Sequence, residues 1–175
     1  MIIRRATTAD ADAIRAVHSA AFAGHNPPGM AAVPEARLVD ELRQDGDLIP
    51  ELSLVAEKDG AVVGHACCSP AVLGDEKTVA VGFGPLGVLP AHQRSGAGSA
   101  LVHATLGAAD ALGYGVVVLL GDPAYYSRFG FTRADELGIT PPVAEWAPHF
   151  QARTLAAYRA ESRGAFRYAP AFERL

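Results

Sequence analysis

The feature that most constrains this chain is an apolar strand that runs without a linker into a glycine-rich turn and then an amphipathic helix. It is Leu86-Gly-Val-Leu-Pro-Ala-His-Gln-Arg-Ser-Gly-Ala-Gly-Ser-Ala-Leu101. The next apolar run, Gly115-Val-Val-Val-Leu-Leu120, has no polar residue to turn toward water, which is the pattern of a strand covered on both faces. Strand, helix and strand in that order form a crossover between parallel neighbours. The first turn of the intervening helix leaves backbone N–H groups unpaired and carries the positive end of the helix dipole. Gly96 and Gly98 keep side chains away from those groups, so the junction suits a phosphate. Arg94 adds a full positive charge beside it.

Upstream of this junction, Ile2 to Arg5 reads as a short strand. Thr7 or Thr8 then caps a helix with Ile14, Val17, Ala21 and Phe22 on one face. Gly24 to Gly29 breaks it, and Pro34 opens a second helix that turns Leu38, Val39 and Leu42 inward and ends at Gly46. Leu52 to Glu57 and Ala61 to Val72 read as antiparallel strands joined at Lys58-Asp-Gly60. A turn at Gly74 to Lys77 leads into Thr78 to Leu89. Within that strand Gly82, Gly84, Pro85 and Gly87 weaken a regular ladder and favour a bulge. A strand that bends there diverges from its parallel neighbour, and the backbone groups of Leu86 to Leu89 need other partners. Ser99 to Leu112 reads as the helix after the loop, ending at Gly113. Beyond Gly138 the pattern weakens to a short helix near Arg153 to Ala160 and a final strand at Phe166 to Tyr168. At 175 residues, half of them hydrophobic, this is one domain over residues 1–175 with a sizeable core. Its expected class is α+β, with a mixed, mostly antiparallel sheet and flanking helices.

Composition excludes several partners. The net charge is −4 and the basic residues are scattered, whereas a nucleic-acid footprint needs them clustered. The first ten residues turn polar and acidic after two arginines, which is not the pattern of a secretory signal, so a cytoplasmic protein is expected. The longest apolar runs are far shorter than a bilayer requires. Cys67 and Cys68 are adjacent in a strand, where neighbouring side chains face opposite ways; they read as packing residues, and no metal site is expected.

Three phosphate-binding patterns compete for the loop. A P-loop needs Lys-Ser/Thr after its last glycine, and Gly98 is followed by Ser99-Ala100. A dinucleotide fingerprint has Asp122 at the end of the following strand as a ribose ligand, but Leu101 replaces its third glycine and no second strand-helix-strand unit follows. The third pattern fits. Val88-Leu-Pro90, Gln93-Arg-Ser-Gly-Ala-Gly98 and Leu101, followed by Tyr125-Tyr-Ser-Arg-Phe-Gly-Phe131, resemble the two signature motifs of the GNAT superfamily of N-acetyltransferases. The resemblance runs from about Ile2 to Phe131.

The resemblance implies a GNAT-like sheet with a splayed strand, and acetyl-CoA as co-substrate. The pyrophosphate would lie on Gln93, Arg94, Ser95, Gly96, Ala97, Gly98 and Ser99, and the pantetheine along the backbone of Leu86 and Val88. Tyr126 would protonate the departing thiolate, with Tyr125 pointing elsewhere; Arg128 would either pair with a phosphate or stay solvated. The acceptor would be an amine of a small molecule or a protein, and the resemblance allows a homodimer. One departure stands out: many relatives carry a glutamate base where this chain has Gly84. Glu35, His25, His65 and Glu145 are the residues that could lie near the acceptor, whereas Asp75 and Glu76 belong to the turn at the far end of the strand. The missing base leaves a second reading, a non-catalytic acyl-CoA-binding or regulatory module.

Overall fold

The structure, a computed structural model, describes residues 1–24 and 33–174. Nine strands are found among these residues: β1 (Ile2–Arg5), β2 (Leu54–Lys58), β3 (Ala61–Leu73), β4 (Glu76–Val88), β5 (Val116–Leu120), β6 (Thr132–Arg133), β7 (Ile139–Thr140), β8 (Phe150–Thr154) and β9 (Gly164–Arg167). The helices are α1 (Ala11–Phe22), α2 (Pro34–Asp45), α3 (Ala97–Ala111) and the single turn α4 (Pro123–Tyr126). Across the sheet the order is β1-β2-β3-β4-β5-β8-β6, with β9 beside the far end of β3 and β7 beside β9. Pairs are antiparallel except β4 with β5 and β7 with β9.

Local chemistry sets these boundaries. Asp59 (φ 53°) and Gly60 (φ 79°) both adopt the left-handed conformation that a two-residue hairpin turn requires, which fixes Lys58 opposite Ala61. Ahead of α1, the Asp10 carboxylate accepts hydrogen bonds from the Thr7 N–H (2.7 Å) and hydroxyl (2.9 Å) and pairs with Arg4 at 2.8 Å. Pro34 opens α2, and Gly46, left-handed at φ 79°, closes it. The loop helix starts at Ala97, two residues earlier than its apolar spacing suggests.

Helices cover both faces of the sheet. On one face α3 buries Leu101, Val102 and Leu106 against Leu54, Val63, Val81, Phe83 and Val117. On the other, α1 and α2 bring Ile14, Leu38 and Leu42 onto Val55 and Cys67. The middle of β5 is covered on both sides, with Val117 and Leu119 under α3 and Val116 and Val118 against Phe150 and Phe166. Each such side chain contributes about 1.5–3 kcal/mol of burial. Cys67 and Cys68 fall in different core clusters, and burial pushes the Cys67 thiol up to about 12. They are packing residues, as expected.

The tail corrects one expectation. Residues 150–154 form β8, which pairs with β5 from Phe150↔Leu120 to Thr154↔Val116, where a helix near Arg153 was expected. The run Phe150-Gln-Ala-Arg-Thr154 turns both Phe150 and Ala152 into the core, a period of two that the alanines further on obscure. The expected final strand is present as β9.

The strand β4 is where the sheet opens. It pairs with β5 only from Ala80 to Gly82, opposite Val116 to Val118, and its pairing with β3 is irregular between Ala66 and Cys68, opposite the Gly84-Pro85 step. Beyond that step Leu86, Gly87 and Val88 remain paired with Ala66, His65 and Gly64, whereas Leu119 and Leu120 of β5 pair only with β8. The two central parallel strands therefore separate into a V.

Candidate active site

The open edge of β4 has a definite chemistry. The Leu89 N–H reaches the Val63 carbonyl at 2.9 Å, which brackets the Gly64–Val88 pair. In an antiparallel ladder the N–H and C=O of a pair so bracketed turn to the opposite edge. Val88, and by alternation Leu86, therefore present their main-chain groups to the V. The Val88 carbonyl is met by Gln93 Nε2 at 3.2 Å.

The V continues into the glycine loop. Gly96 is left-handed (φ 91°) and caps α3; its carbonyl takes the first helical bond, from the Ala100 N–H at 2.9 Å. The N–H groups of Ala97, Gly98 and Ser99 thus precede the first intrahelical donor and face outward. Ala97 is 1% exposed and packs into the core, so only its backbone is offered to the loop. Ser95 donates its hydroxyl to the His92 carbonyl and shapes the turn rather than the space above it. Exposed Arg94 is left-handed as well (φ 57°).

Edge and loop share a cavity of about 780 Å³. Of the residues singled out from sequence, Leu86, Val88, Gln93, Arg94, Gly96, Gly98, Ser99 and Tyr126 line it, together with Tyr125 and Arg128. Ser95 and Ala97 do not, for the reasons just given. Tyr125 differs from expectation: it does not point elsewhere, because a Cβ placed on Gly98 would lie 2.8 Å from the Tyr125 hydroxyl. Arg128 stacks 4.8 Å from the Tyr125 ring centroid and donates from Nε to the Tyr125 carbonyl at 2.9 Å.

Tyr126 packs its ring over Gly121 and meets Tyr125 and Phe131 edge-on, at centroid distances of 4.9 and 5.8 Å. Burial pushes its hydroxyl well above the ordinary phenol range, so it stays protonated. Asp122, the ribose ligand of the dinucleotide reading, instead accepts the Ala124 N–H at 2.9 Å and caps α4.

Residues able to accept a proton are sparse. Gly84 (φ 145°) presents no side chain, and apart from its chain neighbours no described residue lies within 4 Å of the point its Cβ would occupy. His25 lies outside the described residues. Glu35 stands in the first turn of α2, and its Oε2 is buried with no hydrogen-bond partner among the described residues. Glu145 is exposed on a 3-10 turn and Asp75 is exposed in the β3–β4 turn, while Glu76 opens β4. His65 is fully buried and hydrogen-bonded on both ring nitrogens, to His18 Nε2 at 2.8 Å and Ser53 Oγ at 3.1 Å. Sequence reading missed His18, which no motif marks; only its α1 position, one residue after Val17 on the inward face, hints at burial. Among the described residues no group of His, Cys, Asp or Glu could hold a metal ion, and no helix is long and apolar enough to cross a membrane.

Comparison with known proteins agrees with this geometry. A family model described as an acetyltransferase (GNAT) domain matches residues 2–134. The uncharacterized N-acetyltransferase YhbS of Escherichia coli (strain K12) is 45% identical over 101 residues, which span 57% of this chain and 59% of that relative. The chain thus matches about three-fifths of the length of that curated relative. A crystal structure of Escherichia coli YhbS in complex with CoA superposes with a TM-score of 0.89 at 34% identity, covering 99% of this chain and 92% of the other. A GNAT family acetyltransferase from Brucella melitensis in complex with acetyl-CoA gives 0.79 at 36% identity, covering 98% and 97%. A strand splayed from its parallel neighbour, a glycine loop at its end and a family match over three-quarters of the chain lead to one conclusion: the protein belongs to the GNAT acetyltransferase family.

Proposed function

We propose that this protein transfers an acetyl group from acetyl-CoA to an amine nitrogen of a small molecule or protein by direct attack on the thioester. The observation that carries the reading is the continuity of the free edge of β4 with the open first turn of α3 in one cavity. That cavity runs from Leu86 and Val88, where an extended amide-bearing arm would lie, to the loop of Gln93 to Ser99, where a pyrophosphate would lie. The CoA and acetyl-CoA bound to the two similar structures support the same ligand here.

In this reading the N–H of Val88 and the main chain of Leu86 pair with the pantetheine amides as an added strand would. The backbone of Gly96 to Ser99, with Arg94, holds the pyrophosphate. The amine nitrogen bonds to the thioester carbon, the carbonyl electron pair moves to oxygen, and collapse breaks the C–S bond. The nitrogen loses one proton to solvent, Tyr126 gives its hydroxyl proton to the leaving thiolate, and Tyr126 recovers a proton from solvent, so that the net products are amide and CoA thiol. The reaction needs an amine that arrives neutral. For an amine resembling lysine, with a pKa of about 10.4, neutrality at pH 7 costs roughly 4–5 kcal/mol unless the protein assists.

The absence of a side chain at Gly84 favours a second reading, an acyl-CoA-binding module that does not turn over. Thiol release from acetyl-CoA across a panel of amines separates the two. Amine-dependent release supports transfer; thermal stabilisation by acetyl-CoA with no release from any amine supports the module.

A further inference from the structure

The face of β4 turned away from α3 is built from glycine. Gly82 lies under the ring of Tyr168, whose Cδ1 and Cε1 would come within 2.8 Å of an added Cβ. Gly87 lies under the imidazole of His18, whose Nδ1 would stand 2.8 Å and Cε1 3.1 Å from one. Gly84, between them, is open among the described residues. Among the described residues this stretch at the bend of β4 carries no side chain of its own on that face and lies between an aromatic ring from the C-terminal segment and an imidazole from α1. It lies where the open edge begins. In the reading proposed above the thioester end of the cofactor faces this bend, and the present inference rests on that reading.

His18 is fully buried and its Nε2 lies 2.8 Å from His65 Nδ1, whose own Nε2 lies 3.1 Å from Ser53 Oγ. One end of this chain is unfinished: His18 Nδ1 is buried with no hydrogen-bond partner among the described residues. A buried polar atom left unpaired is costly, and an imidazole nitrogen held over Gly87 on the glycine face of β4 is placed for a proton or a donor that arrives with a ligand.

We propose that His18 Nδ1 takes the proton lost by the attacking amine, through water lying over the glycine face of β4 between Gly84 and Gly87, in the role for which a carboxylate is missing at Gly84. His65 and Ser53 act as positioning residues: with Nε2–H of His18 donated to His65 Nδ1, the lone pair of Nδ1 is free and lies over Gly87. As the C–N bond forms, the nitrogen-bound hydrogen becomes far more acidic than in the free amine. It passes to the water while a proton of that water passes to Nδ1. The imidazolium, shared across the His18–His65 bond, releases its proton to solvent as the amide departs. Burial lowers the proton affinity of both rings, which keeps the lone pair available near neutral pH. Arg43 of α2 and Asp10 ahead of α1 act on His65 in opposite directions.

The tautomer is the first test, made on the wild-type protein with isotopically labelled histidine nitrogens and CoA bound near neutral pH. His18 Nδ1 must give the resonance of an unprotonated ring nitrogen; a hydrogen on Nδ1 overturns the proposal whatever the variants do. The second test is His18→Ala. Its kcat with the best amine should fall by about 10²-fold, within the range for a positioned base, and acetyl-CoA affinity should be retained. Free imidazoles should restore rate in proportion to their basicity, a dependence that a purely structural histidine would not produce. A folded His18→Ala with the parent rate and pH profile overturns this inference alone. So does loss of rate in Glu35→Gln while His18→Ala keeps its rate. A wild-type protein that binds acetyl-CoA and acetylates no amine overturns both this inference and the reading on which it rests.

Discussion

At the scale of single residues, the hydroxyl of Tyr126 and the missing side chain of Gly98 have opposite signatures. Tyr126→Phe keeps the ring over Gly121 and its contact with Phe131 and deletes only the hydroxyl proposed as the acid. A thiol with a pKa of about 8.5 leaves tolerably unaided, so kcat should fall toward the low end of the ~10²–10⁴-fold range of positioned acids. Acetyl-CoA affinity should hold, and single-turnover kinetics check this split. Gly98→Val acts on binding instead. Gly98 sits in ordinary helical backbone, so valine is not strained there, but its Cβ enters the space beside the Tyr125 hydroxyl. The expected result is at least about a tenfold rise in the dissociation constant of CoA, worth about 1.4 kcal/mol, with the melting temperature unchanged or raised. Gly96→Val differs because the left-handed φ of 91° also strains the fold. Tyr125→Phe should alter CoA affinity as well, since that hydroxyl faces the loop.

At the scale of elements, α1 is fastened to β3 through a pair of neutral histidines, and this makes stability depend on pH. Burial pushes His18 down to about 4 from its ordinary 6.5, and His65 moves the same way. Between these values the unfolded chain binds more protons than the folded one, so the stabilisation is complete above pH 6.5 and is lost as pH falls toward 4. For His18 alone a shift of that size is worth about 3 kcal/mol. The Asp10 carboxyl, held well below the usual carboxylate range by its hydrogen bonds to Arg4, adds a further loss only at lower pH. Denaturant unfolding from pH 7 to 4 should show the first loss, and a flat profile contradicts it. Much of this level was legible in the sequence. The Asp59-Gly60 turn, the Pro34 and Gly46 helix ends and the glycine-interrupted β4 are local signals, each imposed by a φ angle or a missing N–H. The His18–His65 pair is not local: the residues are 47 positions apart, and only the packing of α1 on Gly87 brings them together. The strand β8 was hidden for a related reason, since its partner is β5, about thirty residues earlier, and its short alternation merges into an alanine-rich stretch.

At the scale of the molecule, a chain of net charge −4 that takes acetyl-CoA must hold a polyanion, and in the proposed reading the glycine loop is where that mismatch is relieved. Arg94→Ala should weaken CoA binding by about tenfold at low ionic strength and by less in high salt, because the screening length falls from ~10 Å at 0.1 M to ~3 Å at 1 M. The central claim is that the sheet opens at Gly84 so that a ligand can complete the edge of β4, and Val88→Pro tests it most directly. The N–H of Val88 turns away from β3, so its removal leaves the ladder to Gly64 intact, takes a donor from the V and sets the proline ring in its place. One hydrogen bond of about 1–1.5 kcal/mol predicts roughly a tenfold weaker dissociation constant for acetyl-CoA by calorimetric titration, with the circular dichroism of the parent preserved. A folded Val88→Pro protein that binds acetyl-CoA as tightly as the parent would contradict the account.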